Sequence, residues 1–145
     1  MNFITKSLAQ TINLGQYFSR SLKGGEIIIA YGDLAAGKTA FAKGLAKGLN
    51  VKQIVNSPTF NIMKVYQGDK LNFYHIDAYR LEDKNAVTEI GLDEAIGNKD
   101  GICFVEWPQF ISSYLKDGLE VYTMHFKQLD NNTRIISIKE GYYDE

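Results

Sequence analysis

The chain has 145 residues, of which 45% are hydrophobic, and its formal net charge is −1. This length and apolar fraction predict a single domain over residues 1–145 with its own core. No apolar run approaches the about 20 residues that a membrane-spanning helix needs, and the first residues lack the basic stretch and apolar core of a signal peptide. We therefore expect no membrane association and a cytoplasmic location, where a lone cysteine such as Cys103 stays reduced.

The basic residues argue against direct binding of nucleic acid. Of the 16 basic side chains, three are arginines (Arg20, Arg80 and Arg134), and the lysines are scattered. Nucleic-acid-binding proteins usually carry a basic excess that is clustered. We expect no DNA partner, and no tight contact of this chain alone with RNA.

The first predicted elements are a helix over Ser7–Leu22 and a strand over Glu26–Tyr31. Ser7 is a suitable N-cap and Gly24-Gly25 a stop signal, although Gly15 lowers the helix propensity. The strand is a short β-branched apolar run, which is typical of a buried parallel strand.

A phosphate-loop pattern follows this strand. Gly32–Thr39 reads Gly-Asp-Leu-Ala-Ala-Gly-Lys-Thr and fits G-x-x-x-x-G-K-[ST], and the residues Thr39–Leu49 have amphipathic-helix spacing. Lys38 is placed to neutralise the β- and γ-phosphates, and the Thr39 hydroxyl to ligate Mg²⁺. The backbone N–H groups that would surround the phosphates belong to Gly32, Asp33, Leu34, Ala35, Ala36 and Gly37. The pattern predicts binding of a nucleoside triphosphate; the alternative is a glycine turn without a ligand.

The next segment is predicted to form a loop and a hairpin. Pro58 in Ser57-Pro58-Thr59-Phe60 favours an extended loop that enters a strand. The β-rich runs Asn61–Gln67 and Leu71–Asp77 flank the turn Gly68-Asp69-Lys70. An antiparallel hairpin directly after the phosphate-loop helix predicts a mixed sheet.

The last third of the chain alternates short elements. We predict two short helical pieces, a buried strand, a helical segment after Pro108 and a closing hairpin. Their ranges are Asn85–Ile90, Leu92–Ile96, Ile102–Val105, Gln109–Tyr114, and Leu119–Lys127 paired with Thr133–Lys139. Together the elements predict an α/β fold, a P-loop NTPase-like three-layer sandwich with a mixed parallel and antiparallel central sheet.

Two acids stand at strand ends, where a phosphate loop needs a carboxylate for its metal. Glu106 follows the apolar strand Ile102–Val105, and Asp77 ends the strand of the hairpin. We assign Glu106 to Mg²⁺, directly or through water, and Asp77 to orienting the attacking water or supporting the metal. The alternatives are a surface acid for Glu106 and a turn-forming residue for Asp77.

Three further side chains are candidates with open alternatives. His75 shares a strand face with Asp77; one histidine without a nearby cysteine is a poor zinc set, so we expect a hydrogen-bonded, partly buried residue. Trp107 is a candidate cover for the nucleotide or a partner, with ordinary packing as the alternative. Arg80 could stabilise the departing γ-phosphate or form a structural ion pair. Without a confident arginine finger we expect slow hydrolysis by the isolated chain.

Four motifs in register resemble the TsaE family, the small bacterial ATPases of tRNA threonylcarbamoyladenosine synthesis. They are GDLxAGKT at Gly32–Thr39, SPTF at Ser57–Phe60, HxDxYRL at His75–Leu81 and VEWP at Val105–Pro108. The resemblance implies ATP as the nucleotide, Thr39 and Glu106 as Mg²⁺ ligands, and Ser57 and Thr59 as sensors of the γ-phosphate. It also implies the partners TsaD and TsaB, with tRNA reached only through them.

The chain departs from the family pattern at two positions. Ala35 stands where the family has glycine, which implies that this position tolerates ordinary backbone angles, and Ala40 replaces a common second threonine. Two other classes of function stay open: a small-molecule kinase of the P-loop class, and a binding module that binds nucleotide without hydrolysing it.

Overall fold

A computed structural model describes residues 1–33, 36–56, 62–78, 91–108, 111–115 and 117–143. The described elements comprise seven strands, three α-helices and one 3₁₀ turn. In chain order they are β1 (Asn2–Thr5), α1 (Leu8–Ser19), β2 (Ile27–Tyr31), α2 (Lys38–Gly48), β3 (Met63–Tyr66), β4 (Asn72–Asp77), α3 (Leu92–Ala95), β5 (Gly101–Glu106), the 3₁₀ turn (Ser112–Tyr114), β6 (Val121–Gln128) and β7 (Arg134–Glu140).

One mixed sheet contains all seven strands, in the order β1-β7-β6-β2-β5-β4-β3. The centre is parallel, because β2 pairs with both β5 and β6, and β5 pairs with β4. The outer pairs β3–β4, β6–β7 and β1–β7 are antiparallel. The predicted α/β class with a mixed sheet is confirmed.

The two faces of the central strand explain the layering. All five residues of β2 are buried. Ile28 packs in one cluster with Phe41 of α2, and Ile29 packs in the other cluster with Leu92 of α3. A strand covered on both faces reads as a continuous apolar run instead of an alternating one. Helices α1 and α2 therefore form a layer on one face of the sheet, and α3 with the 3₁₀ turn lies on the opposite face.

Helices α1 and α2 touch through their backbones. A Cβ at Gly15 would lie 2.3 Å from the carbonyl oxygen of Phe41, and a Cβ at Gly44 would lie 2.0 Å from that of Ile12. Only glycine permits this approach, which accounts for a residue of low helix propensity inside α1.

Most predicted boundaries of helices and strands are confirmed within one or two residues. The C-terminal end of α1 differs by more. The helix starts at the predicted N-cap, where the Ser7 hydroxyl accepts the Gln10 N–H at 3.1 Å. It ends at Ser19, short of the predicted Leu22, and the chain reaches Leu22 through turns with i→i−3 hydrogen bonds.

Both predicted hairpins are confirmed as β3–β4 and β6–β7. The second helical piece is confirmed as α3. In the predicted segment Gln109–Tyr114, residues Ser112–Tyr114 form a 3₁₀ turn, and Gln109 and Phe110 lie outside the described residues. The predicted helix over Asn85–Ile90 lies outside the described residues. No helix in the described part of the chain is both long and apolar enough to cross a bilayer.

Sequence reasoning missed β1, which adds an antiparallel edge strand beside β7.

Candidate functional site

The phosphate-loop sequence connects the central strand β2 to helix α2, as its pattern requires. Gly32 has a φ of +146° and Gly37 a φ of +102°. Both angles lie in a region that residues with a Cβ rarely adopt. A Cβ on Gly32 would also lie 2.6 Å from the carbonyl oxygen of Phe126 in β6. Backbone angles at both positions, and the close approach of Phe126 to Gly32, therefore explain why the pattern has glycine there. Leu34 and Ala35 lie outside the described residues.

The N-terminus of α2 is chemically suited to an anion. Gly37 caps it without a side chain, and the first turn holds no acidic residue. The N–H groups of a first helical turn have no partner four residues back, and the helix dipole adds partial positive charge there. No carboxylate of the first turn competes for this end of the helix, so a phosphate can approach it.

Lys38, the loop lysine, is buried against its own loop. Its side chain is 2% exposed, and its Nζ donates to the Gly32 carbonyl oxygen at 2.6 Å. The same atom lies 4.2 Å from the centre of the Trp107 ring, within the range of a cation–π contact. The structure thus identifies the loop lysine as the group that Trp107 covers.

Trp107 adopts an unusual backbone conformation, with a φ of +54°. For a bulky side chain such an angle costs roughly 1–2 kcal/mol, so the surrounding structure must hold it. The residue follows Glu106 directly and leads into Pro108. The strained backbone therefore lies at Trp107, directly after the strand-end acid Glu106, in the residue whose ring covers Lys38.

Both predicted acids lie at the carboxyl edge of the sheet. Glu106 pairs in register with Ala30 of β2 on one side and with Asp77 of β4 on the other. The phosphate loop leaves this same edge after Tyr31. Each acid lies at the end of its strand, as expected, and the structure adds that the two strands pair with each other; the chemical roles of both acids stay predictions.

His75 makes its polar contact with one of these acids. Its Nε2 lies 2.6 Å from Oε2 of Glu106, and the ring is fully buried. His75 Nδ1 is buried and has no hydrogen-bond partner among the residues with described side chains. The expected hydrogen bond of His75 is confirmed, and its burial is complete where we expected it to be partial.

A groove of about 350 Å³ lies beside the loop and the start of α2. One wall comes from α1, and the opposite wall comes from the turn between β6 and β7. Its lining residues are Ser7, Leu8, Thr11, Gly37, Thr39, Ala40, Asn131, Asn132 and Arg134. Sequence reasoning missed the two walls because their residues lie far from the loop along the chain and carry no local motif.

The turn that forms the second wall is held by its own hydrogen bonds. Asp130 accepts the N–H groups of Asn132 and Thr133 at 2.9 and 2.8 Å, and these bonds lower the pKa of the Asp130 carboxyl. The Arg134 guanidinium donates to the carbonyl oxygens of Asp130 and Thr133. Arg134 is thus an arginine beside the phosphate loop that its position in the sequence did not indicate.

The donor set at the strand ends suits Mg²⁺ shared with a nucleotide. No group of three or more His, Cys, Asp or Glu side chains within the described ranges could hold a metal by itself. Magnesium commonly uses one or two carboxylates together with substrate phosphates and water. The oxygens of Thr39, Asp77 and Glu106 fit that pattern, whereas zinc would need more nitrogen or sulfur ligands.

Three more predicted site residues, Ser57, Thr59 and Arg80, lie outside the described residues, so their roles stay predictions.

Fold and site together define the class: an α/β protein with P-loop NTPase-like architecture, whose glycine-rich loop leaves the central strand beside two strand-end acids. A family model described as "Threonylcarbamoyl adenosine biosynthesis protein TsaE" matches residues 5–136. The chain belongs to the TsaE family, which confirms the resemblance seen in its motifs.

Individual relatives agree with this assignment. A protein of Treponema pallidum is 35% identical over 138 residues, which cover 95% of this chain and 99% of that protein. A protein of Rickettsia prowazekii is 36% identical over 140 residues, which cover 94% and 93%. Both are named tRNA threonylcarbamoyladenosine biosynthesis protein TsaE. The crystal structure of Bacillus subtilis YdiB matches with a TM-score of 0.75 at 31% identity, over 95% of this chain and 83% of that one.

Proposed function

We propose that this chain is an ATPase that binds ATP with Mg²⁺, hydrolyses it slowly, and supports the formation of threonylcarbamoyladenosine on tRNA. The observation that carries the proposal is the buried Lys38 ammonium at the start of α2, beside two acid-ended strands. Membership of the TsaE family and the names of its relatives support the pathway.

In this proposal the β- and γ-phosphates bind at the N-terminus of α2. Lys38 exchanges the Gly32 carbonyl oxygen, which its Nζ now contacts at 2.6 Å, for phosphate oxygens. The bond to Gly32 joins an ammonium to a neutral carbonyl oxygen, whereas a phosphate oxygen is negatively charged and adds a Coulombic attraction to the ammonium. The exchange is therefore favourable for a triphosphate and unfavourable for a neutral ligand.

Thr39 and Glu106 are the proposed holders of Mg²⁺, which when bound neutralises charge that develops on the phosphate oxygens. Asp77 is the proposed group that orients the attacking water, since it neighbours Glu106 in the sheet. Ser57 and Thr59 are proposed contacts of the γ-phosphate. The nucleoside then occupies the groove between α1 and the β6–β7 turn, where ATP is the nucleotide implied by the family.

Slow turnover follows from how the nearby arginine is used. Nη1 of Arg134 donates to two carbonyl oxygens of its own turn, which holds this guanidinium at the turn. Transition-state charge on a transferred phosphoryl group needs such a cation for fast hydrolysis. We propose that TsaD and TsaB complete or stimulate the site, that tRNA is reached only through them, and that the assembly works in the cytoplasm without DNA.

The test is ATP turnover by the purified protein, alone and with the TsaD–TsaB pair. We expect a low rate that rises at least tenfold with the partners and is lost in both conditions for Glu106→Gln. A rate that the partners leave unchanged, with labelled phosphate on a small metabolite, would identify a kinase. ATP binding with no hydrolysis in either condition would identify a binding module.

A further inference from the structure

We propose that His75 is a positioning residue for the metal: it holds the Glu106 carboxylate so that one oxygen stays available to Mg²⁺. The inference rests on the proposed function, because it requires Glu106 to be a metal ligand. It concerns a side chain that touches neither nucleotide nor metal in the proposal.

The sheet register brings the two side chains together. In the parallel pair β4–β5, His75 lies opposite Phe104 and Asp77 lies opposite Glu106. His75 and Glu106 are therefore diagonal neighbours across adjacent strands, within reach of long side chains. The 2.6 Å contact from His75 Nε2 to Oε2 of Glu106 joins two rigid strands without any loop residue.

The buried imidazole of His75 makes one polar contact with the part of the chain that the structure describes. His75 is fully buried, and its ring centre lies 5.7 Å from that of Phe73 and 5.6 Å from that of Phe104. Its Nδ1 has no hydrogen-bond partner among the side chains that the structure describes. With the ring fully buried beside these two aromatic rings, water is excluded, and the orientation of the imidazole is determined by its bond to Glu106.

The chemistry of the ring decides the direction of that bond. A hydrogen on Nδ1 would be a buried donor without an acceptor among the described residues, and the lone pair of Nε2 would then face a carboxylate oxygen. The neutral tautomer with its hydrogen on Nε2 avoids both costs. His75 Nε2–H therefore donates to Oε2 of Glu106.

This bond assigns different tasks to the two carboxylate oxygens. Oε2 is committed to His75, whereas Oε1 has no hydrogen bond within the described part of the chain. Partners that hydrogen-bond a metal-ligating carboxylate fix its orientation, and their loss commonly costs 10–100-fold in metal affinity. Without His75, the Glu106 carboxylate could rotate and would lose the orientation that the strand pair imposes.

The experiment measures how Mg²⁺ affects ATP affinity in three variants. His75→Leu removes the N–H donor, and His75→Gln retains a donor of similar reach. Tyr74→Phe is the matched control, because it removes a different hydrogen bond of the same strand, that from the Tyr74 hydroxyl to Asp100 at 2.9 Å. ATP affinity is measured in EDTA and across a Mg²⁺ titration, with Mn²⁺ binding followed by electron paramagnetic resonance as a direct metal readout.

We expect His75→Leu to raise the Mg²⁺ concentration for half-saturation about 10–100-fold and to leave ATP affinity in EDTA within twofold of wild type. His75→Gln should recover most of the metal affinity, and Tyr74→Phe should retain all of it. A His75→Leu protein with a wild-type Mg²⁺ response overturns the inference alone. A wild-type protein whose ATP affinity ignores Mg²⁺ overturns the proposed function as well.

A second measurement keeps His75 unchanged and so does not depend on whether a His75 variant folds. The chain has two histidines, His75 and His125, so His125→Gln leaves one imidazole to observe by ¹⁵N-resolved nuclear magnetic resonance. We expect a slowly exchanging hydrogen on Nε2 of His75. A hydrogen on Nδ1 instead, or rapid exchange with water, would overturn the proposed hydrogen bond.

Discussion

Replacing Lys38 by Met separates the role of the loop lysine in the fold from its role in binding. Methionine keeps the buried aliphatic stem and removes the ammonium that donates to Gly32 at 2.6 Å and lies over Trp107. Both residues have high helix propensity, so α2 itself should be unaffected. The variant therefore isolates the charge.

The structure sets the expected magnitudes. Losing the charged hydrogen bond costs about 1.5–3 kcal/mol of folding free energy, and losing the cation–π contact costs about 0.5–2 kcal/mol. Relief from burying an ammonium offsets this by several kcal/mol, so the free energy of unfolding should change by less than about 2 kcal/mol. For binding, two unit charges about 4 Å apart at an effective dielectric constant of about 20 attract by about 4 kcal/mol. Subtracting once about 2 kcal/mol for the Gly32 bond given up in the exchange leaves about 2 kcal/mol, or about 30-fold in affinity, for contact with a single phosphate charge.

Isothermal titration calorimetry with ATP and Mg²⁺, together with urea denaturation, measures both quantities. Lys43→Met is the control, because Lys43 is an exposed lysine of the same helix and its loss should change affinity by less than about twofold. A Lys38→Met protein that binds ATP within about fivefold of wild type would refute the assignment of this lysine to the phosphates. Equal losses in the two variants would point instead to the general charge of the helix.

Three further predictions address the second acid, the helix contact and the buried thiol. Asp77→Asn preserves size and removes charge, so ATP turnover should fall at least tenfold while ATP affinity changes less than threefold; an equal loss of affinity would make Asp77 a binding residue. Gly44→Ala places a Cβ 2.0 Å from the Ile12 carbonyl oxygen. This variant should lower the free energy of unfolding, measured by urea denaturation, by about 3 kcal/mol. The control Lys47→Ala, at an exposed position, should lower it by less than about 0.5 kcal/mol. Burial raises the pKa of the Cys103 thiol from 9.0 to about 12, so Ellman's reagent at pH 8 should react about 10³-fold more slowly with folded than with unfolded protein, and similar rates would contradict this burial. The unfolded thiol ionises first as pH rises, so Cys103 should lower stability between pH 9 and 12, measurable against Cys103→Ala.

Local chemistry made part of this molecule readable from its sequence. The phosphate loop needs glycines at set positions between a strand and a helix, so Gly32 and Gly37 identify it without any distant contact. The two hairpins were predicted because turn residues separate β-rich runs. Glu106 could be placed at a strand end because a continuous apolar run precedes it.

The remaining features depend on pairings between distant parts of the chain. The edge strand β1 is mostly exposed or half-buried, and only its antiparallel partner β7 makes it a strand. Likewise, β6 pairs with β2 although more than 80 residues separate Tyr31 from its register partner His125. The walls of the groove also depend on such distant pairings. Thr11 and Arg134 lie near the loop because of the sheet order and the packing of the helices.

The glycine contact between α1 and α2 also determines how the groove can move. Because the backbones of α1 and α2 lie in close contact at Gly15 and Gly44, we expect the two helices to move together. Thr11 on α1 and Thr39 on α2 therefore travel as parts of one rigid body. We expect any widening of the groove to come from the opposite side, by displacement of the exposed β6–β7 turn that carries Asn131 and Asn132. Changes in that turn should accordingly alter the rates of nucleotide entry and exit, whereas the helical side acts as a fixed wall.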